Sequence, residues 1–338
     1  MNKFVLACIM CAALFVAPIA AAIIPHPEYF ERERRRLWPF PDWPDAWEQR
    51  LFLRYFKGID RFFPDRFPLR EALLAVAKTP YKLLGESTDA EYAFRGKDNF
   101  IFFGQTLNRL QGKEVLSPDV TGELLGKFTR LNEMFRAAGA EFVIFLGPDK
   151  EAVYPENLPG VFIPAKPRYV QPLVDALHAA GIRIYDATER LRRKKSEGLL
   201  YYRTDTHWNM RGAFEAFEGF REYMGLPPLP HAGVRVGPGI REGDLISLGE
   251  FTNYPLPLDF DEYPPPLWTP PPNRPIAGKT TFVFGDSFFK ALSPFFEAMF
   301  GDVPHAATSE FMENLAAALE KKPDIVVWVS VERNLVEN

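Results

Sequence analysis

Thr281-Phe282-Val283-Phe284-Gly285-Asp286-Ser287-Phe288 is the stretch on which the fold turns. Thr281 to Phe284 is β-branched and aromatic, as a buried strand is, and the apolar run from Phe288 to Phe300 reads as a helix. Gly285 lets the chain turn sharply between them. Ser287 therefore stands at the carboxyl end of a strand and the amino end of a helix, where open α/β sheets place their sites. N–H groups at a helix start can stabilise a developing oxyanion there. Taken alone, the triplet also admits a plainer reading, with Asp286 as a helix cap and Ser287 as an ordinary first-turn residue.

Outward from this stretch the chain alternates between strands and helices. Phe100 to Phe103, Glu141 to Leu146, Ile182 to Tyr185 and Ile325 to Ser330 read as strands. Val120 to Ala138, Tyr169 to Ala180 and Gly212 to Met224 read as helices, stopped by Gly139, Gly181 and Gly225. Such alternation predicts an α/β fold, a mainly parallel sheet covered by helices on both faces. Leu226 to Pro275, rich in proline and glycine, breaks the pattern and reads as long loops over one edge of the sheet. Long loops inside a compact domain are often functional.

A serine nucleophile needs a base, and the chain has five histidines. His26 lies near an apolar N-terminal run, His178 inside a helix, and His231 and His305 in proline-rich or turn-like contexts. His207 stands apart, in Tyr201-Tyr202-Arg203-Thr204-Asp205-Thr206-His207-Trp208. Asp205 is two residues away, so in an extended segment both side chains project to one side. The acid can then fix the imidazole tautomer and stabilise its cation. The plainer reading is a loop histidine near a helix start, with Asp205 as a cap. A metal site is the rival use of the pair. No second histidine lies at ligand spacing, and the two cysteines, Cys8 and Cys11, sit in the N-terminal run, so zinc is not expected. No metal is assigned. No phosphate-binding loop is present either.

The 338 residues hold one sizeable α/β domain plus an N-terminal extension, and a net charge of -4 gives no nucleic-acid footprint. Lys3 precedes an apolar stretch from Phe4 to Ile24 that closes on Ala20-Ala21-Ala22. A cleaved export signal and a retained membrane anchor both fit residues 1–24. Arg32, Arg34, Arg35 and Arg36 oppose export, because the positive-inside tendency holds such a cluster in the cytoplasm. The chemistry of the site suits the far side of the membrane better, so export is the expectation. Residues 25–90 read as a helical extension, with Trp47, Leu51 and Tyr55 on one helical face packed on the body. Its aromatic and arginine content also suits a membrane-surface or partner-docking element. Residues 91–338 form the expected catalytic domain.

These strings resemble the AlgJ/AlgX family of alginate O-acetyltransferases and their SGNH-hydrolase-like relatives, from about Asp65 to Leu335. Asp65-Arg66-Phe67-Pro68-Leu69-Arg70 resembles the segment before the catalytic domain. Gly96-Lys97-Asp98-Asn99-Phe100-Ile101-Phe102 resembles its opening strand, with Asn99 in place of a glycine and Phe100 in place of a tryptophan. Gly147-Pro148-Asp149-Lys150-Glu151-Ala152-Val153-Tyr154-Pro155 resembles a Pro-Asn-Lys…Val-Tyr-Pro stretch, with Asp149 in the asparagine position. Thr204-Asp205-Thr206-His207-Trp208 is the nearest match. Gly285-Asp286-Ser287 and the ending Val326-Val327-Trp328…Glu332-Arg333 complete the set. The histidine precedes the serine, a permuted order relative to ordinary GDSL esterases.

The resemblance implies an SGNH-hydrolase-like enzyme that moves acetyl groups onto an exported, alginate-like polysaccharide in the periplasm, either free or anchored to the inner membrane. It implies Ser287 as nucleophile, His207 as general base and Asp205 as its orienter, with an acetyl-serine intermediate and no cofactor. A membrane-embedded acyltransferase partner would supply the acetyl group. Lys150, Tyr154 and Arg333 match strings near the cleft and are candidate substrate-binding residues. A pairing of Lys150 with a surface acid and of Arg333 with Glu332 is the plainer reading. The chain ends soon after its last strand, so the AlgJ type, without an appended carbohydrate-binding module, is expected. A carbohydrate acetylesterase with the same triad and a non-catalytic polysaccharide-binding protein are the alternatives.

Overall fold

The computed structural model describes residues 29–30, 35–43, 49–66, 76–77, 91–230, 235–238, 242–251, 254, 260–263 and 276–336. The expected signal or anchor, residues 1–24, lies outside the described residues, as does Trp47. Among the described residues no helix is long and apolar enough to cross a membrane. The chain divides into two units, Met1–Leu83 and Leu84–Asn338.

The first unit contains a helix, Gln49–Arg66. A strap before it packs on the helix through aromatic edges: Phe40 meets Tyr55 and Phe62, and Trp43 meets Phe52 and Tyr55. Phe62 is buried, whereas Trp38, Phe40, Trp43, Leu53 and Phe56 are exposed.

The second unit is built on five strands: β1 (Glu141–Gly147), β2 (Arg183–Asp186), β3 (Thr281–Gly285), β4 (His305–Ala307) and β5 (Ile325–Val331). They form one sheet in the order β4-β3-β5-β1-β2, and every pairing is parallel. β5, buried along its whole length, is the centre: Trp328 lies beside Ile144 on one side and Phe284 on the other. Successive strand residues face opposite sides. Val143, Phe145, Val283, Val327 and Val329 enter one core, and Phe142, Ile144, Phe282, Phe284 and Trp328 the other.

Helices α3 (Met210–Tyr223) and α5 (Phe289–Phe300) cover the first face through Phe217, Phe220, Phe295 and Phe296. Helices α1 (Pro118–Ala137), α2 (Gln171–Ala179) and α6 (Phe311–Glu320) cover the second through Phe128, Phe135, Leu173, Leu177 and Phe311. Burying each such side chain contributes about 1.5–3 kcal/mol, so packing holds the layers together. Ser117 starts α1 by accepting from the Val120 N–H at 3.2 Å, with Pro118 at the first helical position. Gly139 and Gly181, at φ 87° and 70°, follow α1 and α2 in the left-handed conformation that ends helices.

Some expectations change. Phe100–Phe103 is no part of the sheet. Ile101–Phe103 pairs antiparallel with Ala93–Arg95 as a separate hairpin, whose turn holds Asn99 at φ 60°. Asparagine tolerates that left-handed position, which glycine adopts at no steric cost. His305 opens the edge strand β4 rather than a turn. The stretch from Leu226 to Pro275 carries structure of its own: α4 (Asp244–Leu248) and an antiparallel pair, Arg235–Pro238 with Phe260–Tyr263. These elements are too short for periodicity to reveal.

Candidate active site

β3 delivers Ser287 and its turn is pinned from three sides. The Asp286 N–H donates to the Val329 carbonyl (3.2 Å). One oxygen of Asp286 accepts from the Phe288 N–H (2.9 Å), and the other from the Val331 N–H (2.8 Å) and the Asn334 amide (3.0 Å). Asp286 thus closes the turn before α5 without capping the helix itself, whose N-cap is Phe288, and ties that turn to the end of β5. Gly285 is required by space, since a Cβ there would lie 2.6 Å from the Cβ of Phe289.

The second arm is the segment between Tyr201 and Trp208, which pair as an isolated antiparallel bridge. The chain between them is a turn, not the extended segment the two-residue spacing suggested. Asp205 and His207 meet because Asp205 Oδ1 accepts the His207 backbone N–H at 2.9 Å, a side-chain-to-backbone turn typical of aspartate. The same oxygen lies 2.6 Å from His207 Nδ1, and His207 Nε2 lies 2.8 Å from Ser287 Oγ. The residues on either side hold the arms in register. Trp208 Nε1–H donates to the Phe288 carbonyl (3.1 Å), and the Trp208 and Phe288 rings meet edge to face at 4.8 Å. The imidazole itself lies 5.1 Å from the Phe288 ring. Asn209 then caps α3 by accepting from the Gly212 N–H at 2.9 Å.

Burial alone would raise the Asp205 carboxyl. The hydrogen bonds from His207 and from the N–H groups of Asp244 and His207 outweigh it and hold the carboxyl below its ordinary value. Asp205 is therefore ionised at neutral pH. With Nδ1–H directed at Asp205, Nε2 is left to accept the Ser287 hydroxyl proton, the polarity a general base needs. Among the described residues the Ser287 N–H donates to no acceptor, unlike the N–H groups of Asp286, Phe288, Phe289 and Lys290. A pocket of about 380 Å³ opens on Ser287, lined by Asp286, Ala307, Thr308, Ser309 and Asn334.

The three candidate substrate-binding residues sit elsewhere. Lys150 is buried, and its ammonium donates to the carbonyls of Tyr202 (3.1 Å), Arg203 (3.1 Å) and Asp205 (2.7 Å), so it props the acid arm from below. Burial pushes it down to about 7, against the charges of Asp205, Asp244 and Glu151. Tyr154 is also buried; its hydroxyl accepts from the Leu200 N–H at 2.9 Å, and burial pushes it up to about 12. Neither faces the Ser287 pocket, and Lys150 has backbone carbonyls as partners in place of a surface acid. Arg333 pairs with Asp149, not with Glu332, and lies 5.5 Å over the Phe288 ring. That pair accounts for an acid at position 149. Arg333 also lines a second cavity of about 900 Å³ over the ends of β1, β2 and β5, with Arg168, Asp186 and Glu332. Ser287 takes no part in it and lines the smaller pocket instead.

Asp205, His207 and Asp244 bring three metal-type ligand atoms within 4.8 Å of one another. The carboxylate oxygens are already engaged. Asp205 takes N–H donors from His207 and Asp244, and Asp244 takes both the N–H and the hydroxyl of Thr206. A network with its acceptors filled by protons reads as a proton-handling site rather than a cation cage. Asp244 was invisible in the sequence, because nothing in Gly243-Asp244-Leu245-Ile246 links it to a motif some 40 residues upstream.

Residues 93–247 match the model of the SGNH hydrolase-like domain of the acetyltransferase AlgX. A probable alginate O-acetylase AlgJ of Pseudomonas syringae pv. tomato is 26% identical over 165 residues, 47% of this chain and 40% of that protein. The chain thus spans well under half the length of that relative. Among solved structures, the O-acetyltransferase domain of Pseudomonas putida AlgJ superposes with a TM-score of 0.50 at 20% identity, covering 73% of this chain and 92% of that one. PatB1 of Bacillus cereus superposes with a TM-score of 0.53 at 14% identity, covering 72% and 96%. At such identities the superpositions speak to the fold. The parallel sheet and the matched domain agree: residues 93–247 are similar to the SGNH hydrolase-like domain of AlgX, and over that part the chain resembles the AlgJ/AlgX proteins.

Proposed function

We propose that the protein is an O-acetyltransferase that moves acetyl groups onto hydroxyls of an exported polysaccharide through an acetyl-Ser287 intermediate. The observation that carries this reading is the unbroken chain from Ser287 Oγ to His207 Nε2 (2.8 Å) and from His207 Nδ1 to Asp205 (2.6 Å). Ser287 Oγ attacks the carbonyl carbon of an acetyl donor while its proton passes to His207 Nε2. The tetrahedral oxyanion has the Ser287 N–H, without an acceptor among the described residues, as a donor at the head of α5. Collapse expels the donor's leaving group, which takes the proton from the imidazolium, and leaves the acetyl ester on Ser287. A sugar hydroxyl then gives its proton to His207 Nε2 and attacks the ester carbon. As the second oxyanion collapses, Ser287 Oγ leaves and recovers the proton. Acetyl is neither oxidised nor reduced, so no cofactor is needed.

The similarity to AlgJ and AlgX supports an alginate-like acceptor, a periplasmic location and a membrane-embedded acyltransferase as donor partner. One observation favours esterase action instead: the His207 side chain is 31% exposed, so water reaches the base unless the acceptor covers it.

The test uses the full chain and its Ser287→Ala variant, each incubated with 4-nitrophenyl acetate, with and without oligosaccharides of mannuronate, and followed by mass spectrometry. Acetylated sugar from the unaltered protein alone supports transfer. Free acetate with no sugar adduct moves the assignment to an esterase. Equal activity in the two proteins would refute the role of Ser287.

A further inference from the structure

α4 stands against the acid arm and grips it through five hydrogen bonds. The Gly243 N–H donates to Thr204 Oγ1 (3.1 Å), the Asp244 N–H to Asp205 Oδ2 (3.0 Å) and the Leu245 N–H to the Thr204 carbonyl (3.1 Å). In return the Thr206 N–H donates to Asp244 Oδ1 (2.8 Å) and the Thr206 hydroxyl to Asp244 Oδ2 (2.6 Å). Gly243 allows the approach; a Cβ there would lie 2.4 Å from both Asp205 Cβ and the Thr204 carbonyl oxygen.

This grip reaches the base. Because its hydroxyl donates to Asp244, the Thr206 oxygen can only accept from His207 Nδ1, 3.3 Å away. Asp244 Oδ2 itself lies 3.8 Å from Nδ1. We propose that Asp244 is a positioning residue of the triad: with Thr206 it keeps the imidazole aligned on Ser287, and its carboxylate shares with Asp205 the positive charge that develops on the ring. The inference rests on the triad reading above.

The groups around the imidazole make the charge contribution distinguishable. On its own segment are Asp205 and Thr206, from α4 comes Asp244, and from the turn into α5 come Ser287 and the Phe288 ring. Of the cations named above, Arg333 lies over the Phe288 ring and pairs with Asp149, and Lys150 holds the Asp205 carbonyl and also feels the Asp244 charge. Asp244 is therefore a second carboxylate facing Nδ1. A carboxylate that only capped a turn would leave the proton affinity of the ring unchanged on neutralisation. One that faces Nδ1 lowers that affinity when neutralised.

The experiment compares the full-length protein with Asp244→Asn and, should that variant fold poorly, with Thr206→Val. Two readings are taken: the titration midpoint of the His207 ring by nuclear magnetic resonance, assigned by its loss in His207→Gln, and the pH profile of 4-nitrophenyl acetate turnover. Asp244→Asn is expected to move the midpoint and the acid limb of the profile down by about one pH unit, with kcat reduced about tenfold at neutral pH and KM unchanged. Thr206→Val is expected to move both in the same direction by less. An unchanged midpoint with an unchanged acid limb overturns the proposal, even if the rate falls. A shifted midpoint in a protein whose turnover survives Ser287→Ala would keep Asp244 as the second anion and sink the triad reading instead.

Discussion

Replacing Gly243 by alanine tests the placement of the triad with one methyl group. The glycine has φ -82°, which any residue adopts, so backbone conformation does not require it. Space does: the new Cβ would meet Asp205 Cβ and the Thr204 carbonyl oxygen at 2.4 Å, where ordinary contact begins near 3.4 Å. Both are atoms at the backbone rather than flexible tips, so α4 and the acid arm must separate by about 1 Å, a displacement that typically costs a catalytic site about 100-fold in rate. The hydrogen bonds from Asp244 to Asp205 and from Leu245 to Thr204 lengthen together. Overpacking of this kind also lowers stability by about 1–3 kcal/mol, or about 5 °C in melting temperature for a domain of this size. The assay is Ser287-dependent turnover of 4-nitrophenyl acetate beside a thermal melt. Gly122→Ala, in α1 with nothing within 4 Å of its would-be Cβ, is the control and should keep full turnover. Wild-type turnover and melting in Gly243→Ala would refute the argument that α4 sets the position of Asp205.

Two further substitutions probe the acid arm. Asp205→Asn leaves the turn intact but directs an amide at Nδ1 and favours the wrong tautomer, so kcat should fall by about 10³–10⁴ with KM little changed. Because the Asp205 carboxyl is held below 3.8, its contribution to stability is present at neutral pH and disappears as the pH falls through its folded value. Melting temperature against pH should accordingly be flatter at the acid end in this variant, and an unchanged acid profile would count against the assignment. Lys150→Met removes the donor shared by three carbonyls, of which that of Asp205 is buried. Relief from burying an ammonium offsets part of the loss, so the expected net destabilisation is about 1–2 kcal/mol in urea, with reduced turnover. Equal or greater stability would show that the ammonium is not what holds the loop.

Where burial is continuous along an element, the fold was legible. β1, β3 and β5 are mostly apolar runs because a parallel strand is covered on both faces. α1 and α2 repeat apolar residues at the helical period and end at glycines. Short elements were not legible: three residues of β4 and five of α4 carry no period to read. Lys150 shows the matching limit for the site. Its string is recognisable, yet whether a lysine reaches a ligand or a loop carbonyl depends on what folds over it.

Three decisive features were present in the sequence as local chemistry. A strand running into Gly285-Asp286-Ser287 puts a hydroxyl at a helix start, Asp205 lies within reach of His207, and the sequence context of the five histidines singles out His207 as the candidate base. The tertiary structure decided what lies between distant segments. It brought His207 to 2.8 Å from Ser287 across 80 residues of chain, closed the register through Trp208 and Phe288, and set Asp244 behind the imidazole. It also turned Lys150 and Tyr154 into internal supports. The division has one physical cause: strand, helix and turn preferences act over a few residues, whereas hydrogen bonds and ring contacts between segments exist only after the sheet has brought those segments together.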